Sequence, residues 1–89
     1  MMTVTNKESI LNQTGKRKAR ILVVDDDAGG RYLKSHILRK HGYRVAEANC
    51  GIDAIEQCCV DAPHLVLLDV RLPDINGVEV CRRIKAAHP

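Results

Sequence analysis

Two stretches of this 89-residue chain end in carboxylates that could do chemistry together. Asp25, Asp26 and Asp27 close the apolar run Ile21-Leu22-Val23-Val24, and Asp69 closes Leu65-Val66-Leu67-Leu68. Carboxylates held side by side repel one another, so enclosing several of them costs free energy unless a cation shares the site. Oxygen-only ligands, few in number and leaving room for water, suit Mg2+ better than a soft metal. A simpler role, solvating a strand end and capping the helix that follows, is the expectation for Asp27.

For these groups to meet, the runs that carry them must be neighbours in one sheet. Residues 21–24 form a short, β-branched apolar run of the kind that is buried on both faces of a sheet. Residues 28–41 read as a helix with Leu33, Ile37 and Leu38 on one side, Arg31, Lys34, Arg39 and Lys40 elsewhere, and Gly42 placed to end it. Gly29 and Gly30 weaken its start, at about 1 kcal/mol per interior glycine against alanine. Residues 43–48 read as a second strand, and Asn49-Cys50-Gly51 as a turn. A short helix over 52–60 follows, with Ala54, Ile55 and Cys58 inward, and Pro63 breaks it. Residues 64–69 hold the most apolar run and form the third strand. After a loop with Pro73 and Gly77, residues 78–87 read as a helix with Val78, Cys81 and Ile84 on its apolar face. The order β-α-β-α-β-α implies an α/β fold with a parallel sheet and right-handed crossovers. In a doubly wound sheet with strand order 2-1-3 the first and third strands are adjacent. Their terminal aspartates then converge at the carboxyl ends, where such sheets bind ligands.

The rest of the chain narrows the function. Residues 1–20 carry five basic residues against Glu8, so the net charge of +3 belongs to the leader and residues 21–89 are nearly neutral. Residues 1–19 lack apolar periodicity and read as a flexible basic tail ending in Lys16-Arg17-Lys18, a solvated run with no base-reading groups beside it. With Tyr32 and Tyr43 as the two aromatics, sites that stack bases are disfavoured, and nucleic acid is not the expected partner. No run approaches the length of a membrane helix. Cys50, Cys58, Cys59 and Cys81 follow neither a disulfide framework nor zinc spacing, which suits reduced thiols and a cytoplasmic protein. No glycine-rich phosphate loop follows the first strand, which speaks against a nucleotide site.

At this point a resemblance is plain. Ile21-Leu22-Val23-Val24-Asp25-Asp26-Asp27 resembles the opening strand and acidic pair of response-regulator receiver domains. Leu65 to Gly77 resembles their phosphorylation loop, with Pro73 four and Gly77 eight positions after Asp69. The two motifs stand 43 positions apart, measured from Asp26 to Asp69, and the likeness covers residues 20–88. It implies a flavodoxin-like (CheY-like), doubly wound parallel sheet and a two-component phosphorelay function. Asp69 would be the phosphoacceptor, with a sensor histidine kinase or phosphotransfer protein as donor. Asp26 and Asp69 would ligate Mg2+ directly, Asp25 through a water, and the backbone carbonyl of Arg71 would add another oxygen. Pro73 and Gly77 would shape the loop that presents that carbonyl.

The chain also departs from the family. Receivers use a Ser or Thr at the end of a fourth strand and a Lys at the end of a fifth, whereas this sequence stops at Pro89, where the third helix would end. Lys85 sits in that helix and is no substitute. The expectation is therefore a receiver truncated after its third helix, with the third strand as an open edge, so that the chain either self-associates through it or needs the missing half supplied. The alternative is a non-phosphorylated fragment that acts only as an interaction module. An enzyme reading, as in haloacid-dehalogenase-like phosphatases with Asp-x-Asp at the nucleophile, meets Arg71 where the second Asp should stand.

Overall fold

A computed structural model describes residues 2–5, 19–69 and 71–87. Four strands, β1 (Met2–Thr5), β2 (Arg20–Val24), β3 (Arg44–Ala48) and β4 (Leu65–Leu68), are joined in one sheet. Three helices, α1 (Ala28–Lys40), α2 (Gly51–Val60) and α3 (Gly77–Ala87), follow β2, β3 and β4 in turn. β2 lies at the centre, parallel to both neighbours, with Val24 level with Ala48 on one side and Leu68 on the other. The expected strands one, two and three are thus β2, β3 and β4, and their order is the expected 2-1-3 of a doubly wound sheet.

β1 was not foreseen. Met2–Thr5 runs antiparallel along the outer side of β4, Met2 opposite Leu68 and Thr5 opposite Leu65. So the leader is not wholly a tail, and the edge expected to stand open, and to drive self-association, carries a strand of the same chain. The reason is backbone valence: the outer N–H and C=O groups of β4 need partners, and Thr3-Val4-Thr5 has high strand propensity. Four residues are too few to show a period. The Lys16-Arg17-Lys18 run and the stop at Pro89 lie outside the described residues.

Strand alternation sorts the core onto two faces. Leu22, Val24, Ala48, Val66 and Leu68 point to the face that α2 and α3 cover, against Ala54, Cys58, Val80 and Ile84. Ile21 and Val23 are buried on the other face, where α1 packs on β2 and β3. Along β4, Leu65 and Leu67 are half-buried while Val66 and Leu68 are buried. Each fully buried Leu or Val contributes about 1.5–3 kcal/mol. None of the four cysteines is joined in a disulfide, and burial, then the neighbouring Cys59, pushes the Cys58 thiol up to about 11.

Two helix faces differ from expectation. Leu33 and Ile37 are 60% and 48% exposed, and Ser35 is the buried residue of α1. That apolar side looks past the sheet rather than onto it. In α3, Val78 is exposed, and Gly77, Val80 and Ile84 are buried. Steps of three residues fall about 60° short of a full turn, so the row 78-81-84 winds off any one face, whereas 77-80-84 stays on it.

Candidate functional site

The site is built at the carboxyl ends of β2 and β4. Val24 and Leu68 are level, so the next residue of each strand leaves the sheet at the same end. Backbone bonds fix both departures: Asp69 N–H donates to the Val24 carbonyl at 3.0 Å, and Asp25 N–H to the Ala48 carbonyl at 3.1 Å. Asp25, Asp26 and Asp69 each then offer one carboxylate oxygen to a common point, all within 4.8 Å of one another. Burial is graded across the cluster, with Asp25 buried, Asp69 half-buried and Asp26 exposed. A buried wall with an open front is what a cation that keeps several waters requires.

Asp25 is the most constrained of the three. Its Oδ1 accepts from the Asp27 amide at 3.0 Å, and its Oδ2 accepts from Lys34 Nζ at 2.7 Å. Burial pushes its carboxyl up, but the Lys34 hydrogen bond, the Asp27 amide and the charges of Lys34 and Arg31 outweigh it, so Asp25 sits below its ordinary range. Arg31 donates to the Asp25 carbonyl at 2.9 Å and pairs with Glu47 on β3. Asp27 caps α1 as expected, its Oδ2 accepting from Gly30 N–H at 2.9 Å. Gly30 has a steric role here, because a Cβ would lie 3.0 Å from Asp25 Oδ2 and 3.1 Å from Asp27 Oδ2.

Past β4, Arg71 is exposed, and its N–H donates to Asp69 Oδ1 at 3.0 Å. Pro73 is exposed in the loop, and Gly77 is buried as the first residue of α3. Gly42 is the sole described residue with positive φ, so Gly77 is not there for a left-handed turn. Asn76 caps α3, accepting from Glu79 N–H at 2.9 Å. Two residues escaped the sequence reading. Lys34, set apart from the apolar side of its helix and given no role, has its ammonium on Asp25 of the acidic cluster. Asp74 accepts from the Gly51 and Ile52 amides at 2.8 Å each, capping α2 from a distant loop. A signal existed for the second: Cys50 at the N-cap of α2 has no side-chain oxygen to offer, which leaves the first amides of the helix in need of another acceptor.

Residues 21–89 match the family described as response regulator receiver domain. Sporulation initiation phosphotransferase F of Bacillus subtilis is 38% identical over 66 residues, which make up 74% of this chain and 53% of that protein. Response regulator MprA of Mycobacterium leprae is 42% identical over 67 residues, 75% of this chain and 29% of that protein. The response regulator domain of Thermotoga maritima CheB superposes with a TM-score of 0.77 at 31% identity, covering 82% of this chain and 56% of that one. The chain spans about half the length of the first of these relatives, and less of the second.

Proposed function

This chain belongs to the response-regulator receiver family, and from that premise we propose that Asp69 accepts a phosphoryl group from a histidine kinase or phosphotransfer protein, with Mg2+ beside it. The convergence of Asp25, Asp26 and Asp69 carries the reading, since these oxygens come from separate strand ends yet lie within 4.8 Å. The donor set suits a hard ion: carboxylates alone, one of them open to water, with an ammonium already drawn to Asp25. Asp26 and Asp69 would hold Mg2+ directly, Asp25 through a water, and the Arg71 carbonyl would add an oxygen. Bound there, Mg2+ supplies positive charge that offsets the repulsion between the carboxylates and the phosphoryl oxygens.

The chain's own residues do the positioning. An Asp69 carboxylate oxygen forms the O–P bond as the P–N bond to the donor imidazole breaks. The imidazole leaves with the electron pair of that bond and takes up a proton. The Arg71 amide on Oδ1 restricts rotation of the Asp69 carboxylate, and the Val24 carbonyl anchors its backbone. Pro73 and Gly77 shape the loop that carries Arg71. One aspartyl phosphate per chain makes this a signalling module rather than an enzyme. We place it in the cytoplasm with its kinase; no described helix is long and apolar enough to cross a membrane.

Incubation with a small phosphodonor and Mg2+ should add one acid-stable, alkali-labile phosphate to the chain, and Asp69→Asn should prevent it. Labelling that survives this substitution removes Asp69 as acceptor. A folded chain that takes no phosphate would be an interaction module instead.

A further inference from the structure

We infer that Lys34 is a built-in counter-cation of the acidic site, and that it sets how much Mg2+ the site needs. The inference rests on the Mg2+ reading above. Lys34 lies one turn beyond Arg31 on α1, and both side chains reach back to Asp25. Their charges are used differently. Arg31 meets the Asp25 backbone and spends its charge on Glu47, whereas the sole ion pair of Lys34 among the described residues is with the Asp25 carboxylate. That carboxylate is 6% exposed, and the ammonium sits 2.7 Å from its Oδ2. With Oδ1 held by the Asp27 amide, both Asp25 oxygens are engaged before any metal arrives. Gly30 keeps the approach clear, since a side chain there would crowd the oxygen that Lys34 holds.

The consequence has two signs. Without metal, Lys34 neutralises one of three clustered carboxylates and removes much of their mutual repulsion. With metal, the ammonium becomes a like-charged neighbour of a divalent ion. Lys34 therefore stabilises the metal-free chain and weakens Mg2+ binding. It is a positioning and tuning residue, distinct from the groups that would touch phosphorus.

Mg2+ titration of the 15N-labelled chain by NMR, at fixed pH and ionic strength, tests this without any phosphodonor. Lys34→Met and Lys34→Gln should lower the Mg2+ Kd roughly three- to tenfold, the scale of one charge pair in a partly hydrated site. Both should melt lower without metal and gain more in Tm on adding Mg2+ than the unmodified chain. Lys34→Arg, which keeps the charge, should stay within about twofold of the original Kd. Folded neutral variants that bind Mg2+ no tighter would overturn the proposal, as would variants unfolded without metal that Mg2+ fails to restore. Asp26→Ala separates the two readings. If it binds Mg2+ as the unmodified chain does, the metal site itself is misassigned. If it loses Mg2+ while Lys34→Met changes nothing, only the role of Lys34 falls.

Discussion

Single side chains carry more of this fold than their exposure suggests. Asp74 lies in a surface loop, yet the amides of Ile52 and Gly51 hold its carboxyl at about 2, well below its ordinary value of 3.8. A depressed carboxylate stabilises the fold above its unfolded pKa and loses that effect as pH falls toward its folded one. Asp74→Ala should thus lower Tm near neutral pH, and the gap to the unmodified chain should close between about pH 4 and pH 2. A gap that persists at the acid end would mean that packing, not charge, makes the contact. At this scale legibility followed chain position. Asp25, Asp26 and Asp69 were readable because each ends an apolar run, so the strand itself says where the side chain emerges. Lys34 and Asp74 were not, because their partners are set by helix rotation and by a loop crossing to another helix.

Elements were legible in kind and order but less so in the face they turn inward. The β-branched runs and the glycine at position 42 marked strands and a helix end that the structure keeps. The buried sides of α1 and α3 depended on which neighbours cover them, which a single helix does not encode. Where α2 and α3 meet, the fit is close: a Cβ on Gly51 would lie 2.6 Å from Ile75 Cγ1 and 2.7 Å from Val80 Cγ2. Gly51→Ala would gain at most about 1 kcal/mol of helix propensity. Overpacking at such a contact costs about 1–3 kcal/mol, so the variant should be net destabilised, which a urea midpoint would register. An unchanged or raised midpoint would show that Ile75 can swing away.

Among the described residues the sheet is dressed unequally, with α2 and α3 on one face and α1 on the other. The outer rim of β4 is closed by β1, the piece that no sequence pattern announced. That closure has a kinetic meaning. The β2-α1-β3 contacts join neighbouring segments, whereas β1 pairs with residues 60 or more positions away, Met2 with Leu68 and Thr5 with Leu65. Long-range pairs repay their loop-closure entropy only after the partner strand is in place. β1 is therefore expected to dock after β4 is in place, with its contacts absent from the barrier that refolding must cross. Removing residues 1–5 should accelerate unfolding in stopped-flow circular dichroism and leave the refolding rate unchanged. Slower refolding would put β1 in the nucleus. Until β1 docks, the outer edge of β4 lacks this partner, and an unpaired edge is a template for another chain, so the docking time bears on association during folding.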